Sequence, residues 1–220
     1  TICIPCVDKH IEIMEKILTS LKHFTVKPDK VIASISPRYL NLDLHSEKKR
    51  LEEKFPFLLC LVQDNITGVG ENINYTFQHV DTDYVTIWGA DDFYHPQYFE
   101  IMNYVIKKCN PSIITHSFDG QWAIKTPQNP KLLYDINVFE PISLKNMTLY
   151  NDLYLVYQGD EISRFYSKKY MVRYQTANEI WMHAGMQTIR SDIIKANSFK
   201  VGPMYDYKSD TLFLNDIFRK

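Results

Sequence analysis

The chain has 220 residues, of which 45% are hydrophobic and 23% charged, and its formal net charge is -1. This length is sufficient for one large domain with its own core, and the composition is that of an ordinary globular protein. The near-neutral charge argues against a general nucleic-acid-binding protein, which usually carries a basic excess. No apolar run is long enough to predict a transmembrane segment.

The four cysteines, Cys3, Cys6, Cys60 and Cys109, are unevenly spaced. In a chain of this length such spacing indicates reduced thiols in a cytoplasmic protein, and not a disulfide framework. Because the sequence opens on Thr1 and not on Met, we also consider a domain excised from a longer chain.

Strand and helix patterns alternate over the first half of the chain. Short apolar runs predict strands at residues 2–5, 31–36, 57–62, 84–88 and 112–116. Between them, the patterns predict helices at residues 9–24, 46–54, 71–80 and 95–109, the first capped by Asp8. This order predicts an α/β fold of three layers (α/β/α), with a mostly parallel central sheet between helices.

The second half is less regular. Short apolar runs predict strands at residues 154–157 and 171–174, and helices are expected at residues 191–196, capped by Ser191, and at residues 210–219. We find no repeat and no linker, so we expect a single domain over residues 1–220, with a seam between subdomains near residue 118.

Two adjacent carboxylates, Asp91 and Asp92, directly follow the predicted strand at residues 84–88. Ligands of open α/β sheets bind at the carboxyl ends of the strands. Neighbouring carboxylates at such a place repel each other and lose water, and a divalent cation held through oxygen ligands would compensate their charge. The alternative is that the two aspartates begin a loop and cap the next helix.

Cys3 and Cys6 form a C-x-x-C pattern before a predicted helix, which is the arrangement of thioredoxin-like redox sites. If residues 2–5 are a strand, however, the two side chains point to opposite faces of the sheet. A zinc site is poorly supported, because the sequence has no second pair of ligands at a suitable spacing.

Three further segments each allow a functional and a structural interpretation. Gly68 and Gly70 precede a predicted helix whose free amide groups could face a phosphate, or they form a plain turn. Asp210 opens a predicted amphipathic helix, either as its N-cap or as a general base. His183 could be a metal ligand or an acceptor-site residue, although a lone His beside Trp181 is more often a core residue.

In their order, these segments resemble the nucleotide-sugar glycosyltransferases of the A-type (GT-A) fold, especially the inverting family-two enzymes. The matching segments are the opening strand that ends at Pro5, Asn74 on the Asn of an Ala-Arg-Asn segment, Gly89-Ala-Asp91-Asp92 on the Asp-Ala-Asp-Asp metal motif, residues 183–190 on an acceptor-side glycine segment, and Ser209-Asp210 on the Glu-Asp pair that contains the catalytic base.

The sequence also departs from the family pattern. Gly89 replaces the first Asp of the metal motif, Ile73 replaces the Arg before Asn74, and Ser209 replaces the Glu before Asp210. The Asp that usually ends the second strand is replaced by Ser34-Ile-Ser36. Metal and ribose contacts would therefore come from the two remaining aspartates of the metal motif.

The resemblance implies that a sugar moves from a nucleotide-diphosphate donor to a hydroxyl of a glycan, protein or lipid-linked acceptor, with inversion. Residues 1–118 would bind the nucleotide sugar and residues 119–220 the acceptor. The general base would be Asp210, and Mn²⁺ or Mg²⁺ would be the cofactor. The metal ligands would be Asp91 and Asp92, with His183 as a further candidate, and the donor contacts would be Pro5, Cys6, Ser36, Asn74 and Asp91.

Three alternatives stay open on the sequence. A nucleotidyltransferase would normally show a Gly-rich loop with Arg and Lys after the first strand, and residues 6–10 lack those glycines. A catalytically inactive nucleotide-sugar-binding domain is supported by Gly89 and Ile73. A thioredoxin-like protein would use Cys3 and Cys6 and would need a strand before them.

Overall fold

The computed structural model describes residues 1–92, 94–115, 148–150, 153–155 and 187–199. Strands in these ranges are β1 (Ile2–Val7), β2 (Val31–Ser36), β3 (Leu58–Val62), β4 (Tyr84–Ile87), β5 (Ile113–Thr115), β6 (Thr148–Tyr150), β7 (Leu153–Leu155) and β8 (Gln187–Arg190). The helices are α1 (Ile11–Ser20), α2 (Leu44–Lys54), α3 (Val69–Phe77), α4 (Tyr98–Cys109) and α5 (Ser191–Ala196). Short 3₁₀ turns at Asp8–His10 and Leu21–His23 flank α1.

Six strands form one mixed sheet in the order β3-β2-β1-β4-β8-β5. The pairs β1–β2, β1–β4 and β2–β3 are parallel, whereas β8 runs antiparallel to both β4 and β5. A separate antiparallel pair joins β6 and β7. The predicted α/β fold with a mostly parallel sheet is therefore confirmed, and the antiparallel strand inside it is an addition that the sequence patterns did not predict.

The two faces of the sheet carry two separate apolar clusters. One cluster joins alternate residues of β1, β2 and β3 to α1, α2 and α4. The other joins the intervening residues of the strands to α3 and α5. This alternation follows from the two-residue period of a strand, and it produces the three-layer arrangement. Among the described residues, we find no helix that could serve as a membrane-spanning segment.

A buried hydroxyl network fixes β8 against the parallel part of the sheet. The Tyr98 hydroxyl lies 2.7 Å from Thr86 Oγ1 and 2.9 Å from Thr188 Oγ1. Thr86 Oγ1 also donates to the Gln187 carbonyl at 3.1 Å. Because buried polar groups are costly without partners, this network explains how polar residues stand in a central strand.

Two helix caps that the sequence predicted are wrong. Helix α1 begins after His10 without a side-chain cap, and α5 begins after Arg190, also without one. Ser191 instead donates its hydroxyl hydrogen to the Thr82 carbonyl. Asp8 serves a distant loop, because its carboxylate finds more backbone donors there than a helix start would offer. The predicted elements at residues 171–174 and 210–219 lie outside the described residues.

Asp8 joins the end of β1 to the loop that follows β2. Its carboxylate accepts hydrogen bonds from the backbone N–H groups of Lys9, Arg38, Tyr39 and Leu40, at 2.7 to 3.0 Å. The side chain is buried. Burial by itself raises the pKa of the Asp8 carboxyl, but the four backbone donors outweigh it and hold that pKa below its usual value.

Replacing Asp8 by Asn should therefore reduce the free energy of unfolding at neutral pH by about 2 kcal/mol, because buried amide donors lose a charged acceptor. The folded-state pKa lies below the unfolded-state pKa. The contribution of the carboxylate is thus fully present above the unfolded-state pKa and is lost as the pH falls through the folded-state pKa.

Urea unfolding of the wild type and of Asp8→Asn at pH 7 and at acid pH measures this difference. Asp81→Asn is the matched control, because that carboxylate pairs with Lys30 at an exposed site, where ion pairs contribute little. An Asp8→Asn variant as stable as the control variant at neutral pH would contradict the assigned role.

Candidate functional site

The parallel pairing brings the predicted donor-binding residues to one edge of the sheet. In the register of β1 and β2, Pro5 lies opposite Ser34 and Val7 opposite Ser36. On the other side of β1, Cys3 pairs with Ile87, the last residue of β4, so that β4 runs in the same direction and ends beside the first half of β1. The carboxyl ends of β1, β2 and β4 therefore border the same edge, where ligands of such sheets bind.

A tight turn follows β4 and carries the two aspartates. The Asp92 backbone N–H donates to the Gly89 carbonyl at 3.3 Å, which closes the turn. The Gly89 N–H donates to the Tyr94 hydroxyl at 3.1 Å. The Tyr94 ring in turn stacks on Trp88, with ring centroids 3.8 Å apart and an angle of 7° between the planes. The turn thus rests on a buried aromatic pair.

The carboxylates of Asp91 and Asp92 converge on the space above Gly89. A Cβ atom at position 89 would lie 2.9 Å from Asp92 Cγ, closer still to Asp92 Oδ2, and 3.4 Å from Asp91 Oδ1. Asp91 is exposed and Asp92 is half-buried. Two carboxylates near one point, one of them open to solvent, are a donor set that suits a hard divalent cation.

The alternative interpretation of these aspartates as helix caps is wrong. The next helix, α4, begins at Tyr98, and the residue at its N-cap is Gln97. Neither aspartate stands directly before the first turn of α4, so neither is its N-cap residue.

The negative charge of the turn contributes to raised pKa values of two buried neighbours, Tyr94 and Cys6. Burial and then the charge of Asp92 raise the pKa of Tyr94 well above its usual value. For the Cys6 thiol, burial is again the largest cause of a raised pKa, followed by Cys60 and by the carboxylates of Asp91 and Asp8. The thiol at the end of β1 and the turn after β4 are therefore close enough to interact.

Cys6 and Ser36, two of the predicted donor contacts, have buried side chains. Cys6 is 2% exposed and Ser36 is 0% exposed. The Ser36 hydroxyl accepts a hydrogen bond from the Thr67 backbone N–H at 3.0 Å, and the Cys6 thiol donates to the Val7 carbonyl at 3.2 Å. Pro5 is half-buried and remains accessible. Side-chain contacts from Cys6 and Ser36 to a ligand would thus require both residues to move.

Asn74, the remaining predicted donor contact, is engaged elsewhere. Its side-chain amide donates to the Phe199 carbonyl at 2.8 Å and accepts from the Phe199 N–H at the same distance. This two-bond pairing attaches α3 to the segment after α5 on the second face of the sheet. The structure therefore does not bring Asn74 together with the aspartates of the turn.

Asn72 is a residue of this edge that the sequence interpretation missed. Its side-chain amide donates to the Cys6 carbonyl at 3.0 Å and to the Ser34 carbonyl at 3.1 Å. Asn72 is 3% exposed, and among the described residues its Oδ1 atom has no hydrogen-bond partner. The resemblance gave no signal for this role, because position 72 falls on the Ala of the Ala-Arg-Asn segment.

The redox interpretation of the C-x-x-C pattern does not fit the geometry. Cys3 and Cys6 lie on β1 and belong to the clusters on opposite faces of the sheet. Burial raises the pKa of Cys3 to about 12, and it also raises the pKa of Cys6. Redox sites need a reactive thiolate and a neighbouring thiol, and this pair offers neither. The remaining predicted site residues, His183 and Asp210, lie outside the described residues.

Comparison with known proteins gives a fold and no sequence family. No protein-family model matches the chain, and no curated protein matches it. Among solved structures, residues 1–349 of S. aureus TarS, a glycosyltransferase with a GT-A-like fold, align over 99% of this chain with 12% identity and a TM-score of 0.60.

Two further structures of this TarS segment contain ligands. The complex with UDP aligns over 99% of this chain at 10% identity, with a TM-score of 0.58. The complex with UDP-GlcNAc aligns over 98% at 10% identity, with a TM-score of 0.56. The chain spans about 55% of the length of these structures. The likeness shows that the chain has the fold of nucleotide-sugar glycosyltransferases.

Proposed function

We propose that this protein is a glycosyltransferase that moves a sugar from a nucleotide-diphosphate donor to an acceptor hydroxyl. The observation that carries the proposal is the convergence of Asp91 and Asp92 at the carboxyl end of β4, beside β1. The shared fold supports it, because TarS structures with this fold contain UDP and UDP-GlcNAc. A uridine nucleotide is therefore the first donor class to test.

We assign the metal position to Asp92, with help from Asp91. In the described part of the chain, no group of three or more His, Cys, Asp and Glu side chains could hold a metal ion. Two carboxylates completed by substrate phosphates are, however, a common way to bind Mg²⁺, and oxygen ligands also suit Mn²⁺. A divalent cation bound there would supply positive charge to the diphosphate as it departs.

The nucleoside would lie at the ends of β1 and β2. Because the side chains of Cys6 and Ser36 are buried, recognition of the base would rely on Pro5 and on backbone groups of this edge. Asp91 is exposed and is suited to accept a hydrogen bond from a ribose hydroxyl. The Asn72 amide, which joins the carbonyls of β1 and β2, would keep this surface in shape.

The chemical step is assigned to Asp210 by resemblance. Its carboxylate would accept the proton of the acceptor hydroxyl while that oxygen attacks the anomeric carbon. The bond between the anomeric carbon and the diphosphate oxygen breaks, and the nucleoside diphosphate leaves. Attack from the face opposite the diphosphate inverts the anomeric configuration. His183 remains a candidate for a metal ligand or an acceptor contact.

A thermal-shift panel tests the proposal first. UDP-, GDP- and dTDP-sugars are each added with Mn²⁺ or with EDTA, and the melting temperature is recorded. A ligand that binds the folded state raises this temperature. We expect a Mn²⁺-dependent increase with one nucleotide class. If no nucleotide sugar shifts the melting temperature in either condition, the proposed function is refuted.

Replacing Asp92 by Ala should weaken UDP binding in the presence of Mn²⁺ by at least about tenfold, or 1.4 kcal/mol. The physical reason is the loss of the main oxygen ligand, and binding in EDTA should stay unchanged. Isothermal titration calorimetry measures both affinities. Asp81→Ala, which removes an exposed carboxylate elsewhere, is the control. Equal affinities of Asp92→Ala and the wild type would refute the metal role.

Replacing Asp210 by Asn should lower kcat by about 10²- to 10⁴-fold, because the acceptor hydroxyl loses its general base. Donor binding should be retained, since the base acts on the acceptor. Single-turnover transfer and calorimetric donor titration separate the two effects, and Asp192→Asn provides an exposed carboxylate control. Retained turnover, or lost donor binding, would show that Asp210 is not the base.

A further inference from the structure

The site formed by the Asp91 and Asp92 carboxylates requires a residue without a side chain at position 89. The φ angle of Gly89 lies outside the left-handed region, so its backbone conformation is open to other residues. The space for a side chain is not available, because the Asp92 carboxylate occupies it. Gly89 is therefore needed for the room that it leaves and not for its flexibility.

We infer that Gly89 is a positioning residue, which acts by letting the Asp92 carboxylate fold over it and meet Asp91. The inference rests on the proposed function and concerns how the same site is built. It also reverses the meaning of the departure from the Asp-Ala-Asp-Asp motif. A third carboxylate is not simply lost here, since Asp92 uses the volume in which that side chain would begin.

The contacts around Gly89 indicate which atoms would move if a larger residue stood at this position. The Gly89 backbone is held by the Tyr94 hydroxyl and by the Asp92 N–H, and Tyr94 is stacked on the fully buried Trp88. The Asp92 carboxylate, by contrast, is the end of a half-buried side chain. An added Cβ would therefore be accommodated by rotation of Asp92 away from Asp91, while the turn and the core stay in place.

This geometry predicts that a larger residue at position 89 weakens metal binding without unfolding the protein. Gly89→Ala should fold, but its two carboxylates should no longer converge, and displaced supporting groups typically cost about ten- to a hundredfold in metal affinity. Gly89→Asp restores the acid of the family motif and should also bind Mn²⁺ more weakly than the wild type. The reason is that its Cβ has the same conflict with Asp92 before its own carboxylate can contribute.

The experiment measures UDP affinity by calorimetry with Mn²⁺ and with EDTA, and bound Mn²⁺ by electron paramagnetic resonance, for four proteins. These are the wild type, Gly89→Ala, Asp92→Ala and the double variant. We expect Gly89→Ala to lose about ten- to a hundredfold in Mn²⁺-dependent UDP affinity. In the Asp92→Ala background the same change should alter that affinity by less than about twofold, because the group through which Gly89 acts is gone.

Two further variants separate positioning from general destabilisation. Ile17→Val removes one methyl group from the buried face of α1 and should lower the melting temperature without changing the Mn²⁺-dependent UDP affinity. Gly89→Asp should show less bound Mn²⁺ than the wild type at the same concentration. Tighter Mn²⁺ binding by Gly89→Asp would overturn the inference, as would independent, multiplicative losses in the double variant.

The wild-type arm separates the two proposals. If the wild type binds UDP with the help of Mn²⁺ and Gly89→Ala does so equally well, only the positioning role of Gly89 is wrong. If neither Mn²⁺ nor any nucleotide of the thermal-shift panel binds to the wild type, the proposed function falls, and the positioning role falls with it.

Discussion

The parallel pairing of β1 with a strand on each side is the constraint on which the described site depends. It brings the carboxyl ends of β1, β2 and β4 to one edge of the sheet. The Asn72 amide satisfies the carbonyls of Cys6 and Ser34, and the Asp8 carboxylate gathers the amide groups of the loop after β2. One buried amide and one buried carboxylate thus stabilise the backbone at the carboxyl ends of β1 and β2.

The second requirement is that two carboxylates of like charge stay close to each other. The structure meets it by a rigid support and by partial exposure. Gly89 is anchored to Tyr94, which stacks on Trp88, while Asp91 reaches solvent and retains its hydration. Because the supporting residues are closely packed, a change as small as one added Cβ atom at Gly89 would alter the positions of the two carboxylates.

The sequence patterns were sufficient where local periodicity and burial agree. Strand β2 was predicted with its observed bounds, and the other parallel strands were predicted within a few residues, because each is a largely apolar run that buries at least one face. Strand β8 was missed because Gln187 and Thr188 are polar and yet fully or almost fully buried. The Thr188 hydroxyl is paired with that of Tyr98, and the Gln187 backbone carbonyl accepts from the Thr86 hydroxyl. No local pattern contains that information.

The sequence by itself determined the α/β class, the order of strands and helices along the first half of the chain, and the place of Asp91 and Asp92 after a central strand. Only the tertiary structure decided what individual polar side chains do: Asp8 holds a loop and caps no helix, and Asn74 pairs with Phe199 and does not face the aspartates. The physical reason is that strand and helix patterns arise from neighbours in the chain. Hydrogen-bond partners and the space above Gly89 arise from residues that meet only after folding.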